Sequence, residues 1–288
     1  MRKNLIYILM LLVMALWINI TAFASDKEIS ITPTENVKQG QTVFIKIKTS
    51  KELKNPIFYF QNKKYRIFKT GESNYTGFLG IELLEKAGKY EISLSDKSGF
   101  LNDKASINVI STEYPIQNLV LNKKMSGLGA TTRELNQIGM AKRTLTNVSM
   151  KTDAPYDSPT NGCIISVFGL KRYYNGEFSG NYHKGIDIKA PEGEPVRVIT
   201  DGKVIIAEEF RLHGTTVAVN HGHGLMSIYL HLSKMDVKIG DYVKIGQKIG
   251  EVGETGFATG PHLHWGLYVN GTPIDPMKDW VKPVNLCR

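Results

Sequence analysis

The sequence predicts a mainly β protein with two domains and a short helical connector between them. The chain has 288 residues, which is long enough for two hydrophobic cores. Apolar and polar residues alternate over much of its length, for example at Val43, Ile45 and Ile47, and this period of two is typical of strands with one buried face. Apolar residues with helical spacing occur in one segment near the middle of the chain, which we assign to the connector.

The N-terminus has the pattern of an export signal. Two basic residues precede an apolar run that ends near Ile20, and Ala22-Phe23-Ala24 has the small-x-small form of a signal-peptidase site. We expect cleavage after Ala24, so that residues 1–24 are a signal peptide; an uncleaved membrane anchor is the alternative. The mature chain is then expected in the periplasm or cell envelope of a bacterium, without stable membrane insertion.

The charge of the chain bears on its partners. The formal charge of +9 falls to +7 when the two basic residues of the signal are removed. In an exported protein this charge favours the anionic polymers of a cell envelope over nucleic acid, although an ordinary lysine-rich surface would carry the same charge. We therefore expect no nucleic-acid partner.

Residues 25–111 are predicted to form an accessory domain. The aromatic runs Ile57–Phe60 and Tyr65–Phe68 flank Gln61–Lys64 and are read as a hairpin. About seven short strands with turn signals between them predict an immunoglobulin-like β-sandwich. The segment contains no histidine and no cysteine, so we expect a spacer, a wall-binding module or a cover for the second domain.

Residues 112–160 are predicted to connect the two domains. Thr131-Thr-Arg-Glu134 has the form of a capping box, and apolar residues at near-helical spacing follow it, so a helix is expected from about Thr132 to Leu145. The prolines between Asp153 and Pro159 then indicate an extended segment, because proline pushes the preceding residue out of the helical region.

Residues 161–288 are predicted to form a mostly antiparallel β domain with many loops, because β-like runs are separated by glycine turns and no segment has clear helical periodicity. Cys163 and Cys287 are the only cysteines and stand near the two ends of this domain. Export makes a disulfide between them feasible, and it would join the ends of the domain; two free thiols are the alternative.

The second domain also contains all seven histidines of the chain. His262 and His264 share one face if they lie on a strand, whereas an isolated pair of this kind is ordinarily a surface feature. His183 and Asp187 stand four residues apart around a glycine. Together with an imidazole from His262 or His264 they would give two nitrogens and one oxygen, which leaves the open fourth position that a catalytic zinc requires.

Three separated motifs resemble the lysostaphin-type, or LytM-like, zinc metallopeptidases. They are HKGIDIKAPEGEPV at His183–Val196, YLHLS at Tyr229–Ser233 and GPHLHWGLYVNGTPIDP at Gly260–Pro276. The resemblance covers residues 168–280 and implies a LytM-like catalytic domain that holds one zinc ion.

The resemblance also assigns roles to individual residues. It implies that His183, Asp187 and His264 bind zinc, and that His262 stays off the metal and works with His231 in catalysis. Which of these two is the general base is left open. The other histidines, His213, His221 and His223, are not expected to bind the metal. We expect His213 to be exposed in a polar loop, with a substrate contact as the alternative.

The function implied by the resemblance is that of an exported zinc metalloendopeptidase in cell-wall remodelling. Its substrate would be the peptide cross-links of bacterial peptidoglycan, cut between D-alanine and diaminopimelate by D,D-endopeptidase activity. The alternatives are a glycyl-glycine endopeptidase and a non-catalytic protein that binds the wall or activates an amidase. A regulatory partner, or occlusion of the cleft by the upstream region, is a further hypothesis.

Overall fold

The computed structural model describes residues 26–120, 127–145 and 154–288. The predicted signal peptide and the start of the predicted extended segment at Asp153 lie outside the described residues. Within those three ranges, no helix has the length and apolar character needed to cross a bilayer. Strands dominate the described chain and helices are few, which confirms the mainly β prediction.

The N-terminal part forms a β-sandwich of nine strands rather than about seven. One sheet has the strand order β1-β3-β7-β6 and the other β2-β9-β8-β4-β5. The strands are β1 (Lys27–Thr32), β2 (Asn36–Lys38), β3 (Thr42–Thr49), β4 (Ile57–Phe60), β5 (Lys63–Arg66), β6 (Phe68–Lys69), β7 (Asn74–Gly80), β8 (Gly88–Ser95) and β9 (Asn102–Ile110).

The alternation in the sequence explains the sandwich core. Val43, Ile45 and Ile47 on β3 are buried and share one apolar cluster with residues of the opposite sheet, such as Phe58. The predicted hairpin forms from β4 and β5, but its four-residue turn is wrong. Only two residues make the turn, at Gln61-Asn62, and both have positive φ angles of 48° and 62°, as a tight twisted hairpin requires.

The C-terminal part is built on an eight-stranded sheet of order β11-β14-β22-β18-β17-β16-β20, with β23 beside β22. Two three-stranded sheets, β10-β12-β13 and β15-β21-β19, flank it. Its strands are β10 (Ile116–Leu119), β11 (Cys163–Ser166), β12 (Lys171–Tyr174), β13 (Glu177–Tyr182), β14 (Ile186–Lys189), β15 (Pro195–Arg197), β16 (Gly202–Phe210), β17 (Gly214–Gly222), β18 (Leu225–Leu232), β19 (Lys234–Met235), β20 (Tyr242–Val243), β21 (Lys248–Glu251), β22 (His262–Val269) and β23 (Thr272–Ile274).

Two helices accompany these strands. Helix α1 spans Thr132–Ala141, and the predicted capping box is present at its start, so the helix is confirmed although it ends before the predicted Leu145. The second domain also contains a short helix that the sequence did not predict. Helix α2 spans Pro276–Asp279 behind the N-cap Asp275, and a helix of four residues is too short to show an apolar period.

The sandwich packs against the C-terminal part around the Trp280 side chain. The indole is 1% exposed, and its ring centroid lies 5.3 Å from that of Phe44 and 5.4 Å from that of Phe78. Its Nε1 donates to Thr42 Oγ1 at 2.8 Å, and the Thr42 amide donates to the Asp279 carboxylate at 2.9 Å. The two parts therefore share an apolar cluster bordered by satisfied hydrogen bonds.

Cys163 and Cys287 form a disulfide with a sequence separation of 124 residues. The backbone supports the same junction, because the Ile164 amide donates to Asn285 and the Cys287 amide donates to Ile164. The disulfide joins β11, at the edge of the large sheet, to the last residues of the chain.

Replacing both cysteines with serine should lower the free energy of unfolding by about 4 kcal/mol, because the disulfide restricts a long loop in the unfolded chain. Denaturant unfolding without reductant measures the effect. Adding reductant should destabilise the wild-type protein by a similar amount and leave the double variant unchanged. Thiol labelling of the unreduced wild-type protein would contradict the disulfide.

His221 is a core residue of β17. Its ring is fully buried, with Nδ1 3.0 Å from the carbonyl oxygen of Asp201 and Nε2 2.7 Å from Ser227 Oγ. The Asp201 carbonyl can only accept, so the proton is on Nδ1 and Nε2 accepts from the serine. Burial lowers the pKa of His221 to about 4, because a charged imidazolium is disfavoured away from water.

The depressed pKa of His221 predicts acid destabilisation. As the pH falls from 6.5 towards 4, the unfolded chain takes up a proton at this residue while the folded protein does not. This residue's contribution to the free energy of unfolding should therefore fall by up to about 1.4 kcal/mol per pH unit. NMR titration of the folded protein measures the pKa directly, and titration of His221 near 6.5 would contradict the assignment.

Candidate metal centre

The pairing of β14 with β22 brings the predicted ligands together. These strands are antiparallel neighbours, and Asp187 lies directly opposite His264 in their register. His183 lies three residues before the start of β14. His262 lies two residues before His264 on the same strand, so these two rings share a face. Residues far apart in the sequence thus meet at one end of the sheet.

Three side chains bring their ligand atoms within hydrogen-bonding distance of one another. His183 Nε2 lies 2.9 Å from Asp187 Oδ1 and 2.9 Å from His264 Nδ1, and His264 Nδ1 lies 2.8 Å from Asp187 Oδ1. Within the described part of the chain, these three side chains form a group whose ligand atoms lie close enough together to hold a metal ion.

The donor set fits a divalent cation. His183 Nδ1 lies 2.8 Å from the carbonyl oxygen of Val167, and a carbonyl can only accept, so the proton of the neutral ring is on Nδ1 and Nε2 is bare. The three contacts among His183, Asp187 and His264 therefore share at most one proton, which is on His264 Nδ1. Two imidazoles and a carboxylate are the ligands of catalytic zinc sites that keep a fourth position open.

The surroundings keep these groups in metal-binding protonation states. Burial alone would raise the pKa of Asp187, but the His183 and His264 rings outweigh it and hold the pKa well below its usual range. Burial lowers the pKa of His264 to about 4, so its ring is neutral at pH 7. Metal ligands need these two forms, a carboxylate and a neutral imidazole.

Arg172 on β12 holds the second oxygen of Asp187. Its guanidinium donates to Asp187 Oδ2 at 3.1 Å and, through Nε, to Gln117 Oε1 on β10 at 3.2 Å. The sequence analysis did not identify this role of Arg172, because no motif links it to an aspartate 15 residues away. The bond orients the carboxylate so that Oδ1 faces the two histidines.

His231 and His262 lie beside this group with their Nε2 atoms free of backbone bonds. His231 Nδ1 is 2.7 Å from the carbonyl oxygen of Thr255, and His262 Nδ1 is 2.8 Å from that of Gly260. Each ring therefore carries its proton on Nδ1. The two ring centroids are 5.0 Å apart, and His262 Nε2 is 4.0 Å from Asp187 Oδ1.

A β-bulge sets the direction of the His231 side chain. Strand register shifts between Tyr229 and Leu232, and His231 has a φ of +63°, an uncommon value for a residue other than glycine. Strict alternation along β18 would place Tyr229 and His231 on one face, and the bulge separates them. Tyr229 is fully buried in the core, whereas His231 lines the cleft, and bulges near active sites commonly re-aim a side chain in this way.

A cleft of ≈ 540 Å³ opens onto the candidate ligands, and helix α1 contributes one wall. Glu134 on α1 is fully buried and accepts from the His213 amide at 2.9 Å and from the His213 ring. The His231 amide in turn donates to the His213 carbonyl oxygen. The prediction that His213 is exposed is therefore wrong, and this chain of bonds fixes the helix relative to His231.

The two remaining histidines lie outside the candidate centre, as predicted. His221 belongs to the core, as described above. His223 packs its ring against Phe68 of the sandwich with a centroid distance of 4.9 Å, and neither residue lines the cleft.

Comparisons with known proteins agree with the geometry. Residues 181–276 match Peptidase family M23. Peptidoglycan DD-endopeptidase ShyA of Vibrio cholerae serotype O1 is 46% identical over 96 residues, which are 33% of this chain and 22% of that protein. DD-carboxypeptidase/endopeptidase Mpg of Neisseria meningitidis serogroup B is 41% identical over 114 residues, 40% of this chain and 26% of that protein. The chain thus spans less than a third of either relative.

A solved structure extends the likeness beyond the matched segment. The alignment with a crystal structure of a peptidase M23 protein from Pseudomonas aeruginosa covers 83% of this chain and 92% of the Pseudomonas chain, with a TM-score of 0.62 and 28% identity. This share is too large for the C-terminal part alone and includes residues of the sandwich. The family match shows that the C-terminal part of this chain contains a Peptidase family M23 domain.

Proposed function

We propose that this chain is an exported zinc metalloendopeptidase that hydrolyses peptide cross-links of bacterial peptidoglycan. The observation that carries the proposal is the convergence of His183, Asp187 and His264 on one point, with the two further imidazoles of His231 and His262 beside it. The match of residues 181–276 to Peptidase family M23 supports a peptidase, and a relative named for peptidoglycan DD-endopeptidase activity supports the substrate.

His183, Asp187 and His264 would hold one zinc ion and leave its fourth position for water. When bound, zinc in such a site polarises a carbonyl group and lowers the pKa of water to about 7. Arg172 keeps the Asp187 carboxylate oriented through Oδ2, and Val167 fixes the tautomer of His183. Such supporting bonds raise the affinity of a site by orienting its ligands.

His231 and His262 supply groups that can move a proton. Both rings are held by Nδ1–H bonds to backbone carbonyls, so each presents Nε2 as an acceptor. In peptide hydrolysis one such ring can accept the proton of the attacking water, and the other, once protonated, can donate a hydrogen bond to the oxygen on which negative charge develops. The two histidines therefore complement the three metal ligands without duplicating them.

We infer a D,D-endopeptidase that cuts between D-alanine and diaminopimelate, because the relatives with 46% and 41% identity are named for DD-endopeptidase activity. In this proposal residues 1–24 direct export to the cell envelope, residues 161–288 form the peptidase domain, residues 25–111 form the accessory sandwich and residues 112–160 connect them. Helix α1 and strand β10 lie in that connecting segment and contact the peptidase domain.

Metal retention distinguishes the proposed ligands from the proposed proton-transfer residues. His264→Ala and Asp187→Ala should each lose most of the bound zinc after dialysis, because two ligands do not hold a catalytic zinc ion. His262→Ala is the matched control, since it removes the same ring from the same strand and should keep the metal while losing turnover. Zinc per protein is measured by atomic emission, and a metal-free His262→Ala protein would contradict this division of roles.

Digestion of purified sacculi tests the activity and the bond together. The zinc-loaded mature protein should release fragments whose masses correspond to hydrolysis between D-alanine and diaminopimelate. A chelator should abolish release and added zinc should restore it, because the ligands rebind the ion. Cleavage of glycine cross-bridges only would point to a glycyl-glycine endopeptidase, and no cleavage by zinc-loaded protein would favour the non-catalytic alternative.

A further inference from the structure

The cleft beside the candidate metal centre is cationic. Its described lining includes Lys142, Arg172 and Lys184 and contains no aspartate or glutamate. A cleft lined by one sign of charge attracts ligands of the opposite sign, because its walls reduce solvent screening. The charges of the cleft therefore favour an anionic substrate.

Lys142 is a cation without an acidic partner in the described part of the chain. It is the C-cap residue of α1, it is half-buried, and its Nζ lies 4.5 Å from the ring centroid of Tyr268. None of the ion pairs among the described residues includes Lys142. Burial, together with the nearby Lys184, lowers the pKa of Lys142 to about 8. An anion bound in the cleft would relieve both the burial and the repulsion.

Lys184 lines the same cleft as Lys142. It directly follows His183, and its carbonyl oxygen lies beside Gly266, 3.2 Å from the position that a Cβ there would take. Gly266 is midway between His264 and Tyr268 on β22. Since a strand rises about 3.3 Å per residue, Tyr268 lies about 13 Å along β22 from His264. The two lysines therefore mark the part of the cleft that leads away from the metal centre.

Arg172 differs from the two lysines because its charge is already used. Its guanidinium is bonded to Asp187 and Gln117. Neither Lys142 nor Lys184 forms a described ion pair, so their ammonium groups are available to a ligand. An ammonium group recognises a carboxylate as a point charge and with up to three donors.

We propose that Lys142 and Lys184 form a subsite that binds a carboxylate of an acidic stem peptide and thereby selects the substrate. The inference rests on the proposed peptidase function. An extended peptide advances about 3.3 to 3.6 Å per residue, so a span of about 13 Å corresponds to three or four residues or to the side chain of a diamino acid plus its neighbours. The subsite therefore binds a charged group of the substrate that is remote from the scissile bond, and this contact contributes to substrate affinity.

The test compares two cross-linked peptide dimers that differ in one feature. The side-chain carboxylate of the diaminopimelyl residue in the stem that donates D-alanine, which is remote from the scissile bond, is either free or amidated. The enzyme is the zinc-loaded mature protein, as wild type, Lys142→Met and Lys203→Met. Methionine retains an apolar stem over the aromatic ring. Lys203 is the matched control, because its Nζ also lies over a tyrosine ring, Tyr242, at 5.3 Å, yet it does not line the cleft.

The wild-type protein should prefer the free carboxylate by about tenfold in kcat/KM, as a charge-assisted contact in a partly solvated cleft would give. Lys142→Met should reduce this preference by about fivefold or more, chiefly through KM, whereas Lys203→Met should retain it. A role limited to packing over Tyr268 would lower activity on both dimers equally. An unchanged preference in Lys142→Met would overturn the subsite.

Calorimetric binding of the same two dimers separates this inference from the proposed activity. Tighter binding of the free carboxylate that depends on Lys142 supports the subsite even if no bond is cut, and absence of cleavage would then refute only the peptidase proposal. Equal binding of the free and amidated dimers by the wild-type protein would overturn the subsite, whether or not the dimers are cleaved.

Discussion

The register between β14 and β22 is the constraint on which the candidate centre depends. It sets Asp187 opposite His264, and the alternation of side chains along β22 then places His262 on the same face. A slip of one residue would turn every side chain of the strand to the opposite face. The buried residues of β22, among them Trp265 and Leu267, oppose such a slip because their apolar side chains would lose the core.

The upstream segment is part of the site's architecture. Glu134 on α1 binds His213, whose carbonyl oxygen receives the His231 amide, and Gln117 on β10 binds Arg172, which orients Asp187. A buried carboxylate such as Glu134 would be unfavourable without these donors. The bonds that satisfy polar groups of the upstream segment are thus the same bonds that position residues around the metal centre.

The sequence predicted the mainly β fold and the capped helix, because alternation, turns and caps are local patterns. It could not predict the partners of Arg172, Glu134 and His213, because these contacts join residues distant in the sequence and no local pattern specifies them. The bulge at His231 was missed for a related reason. An extra residue in one strand reverses the faces that a strict period of two assigns, and His231 carries no sequence mark of its positive φ.

The sandwich braces the strand that carries the central histidines. Asn270, at the turn after β22, donates through Nδ2 to the carbonyl oxygen of Phe78 at 2.7 Å, and Gly80 approaches Ile274 of β23 so closely that a Cβ there would lie 3.0 Å from its side chain. The β22–β23 hairpin is therefore held by the sandwich at one end and carries His264 at the other. Because close-packed protein interiors have low compressibility, this contact restricts how far His264 can shift relative to Asp187.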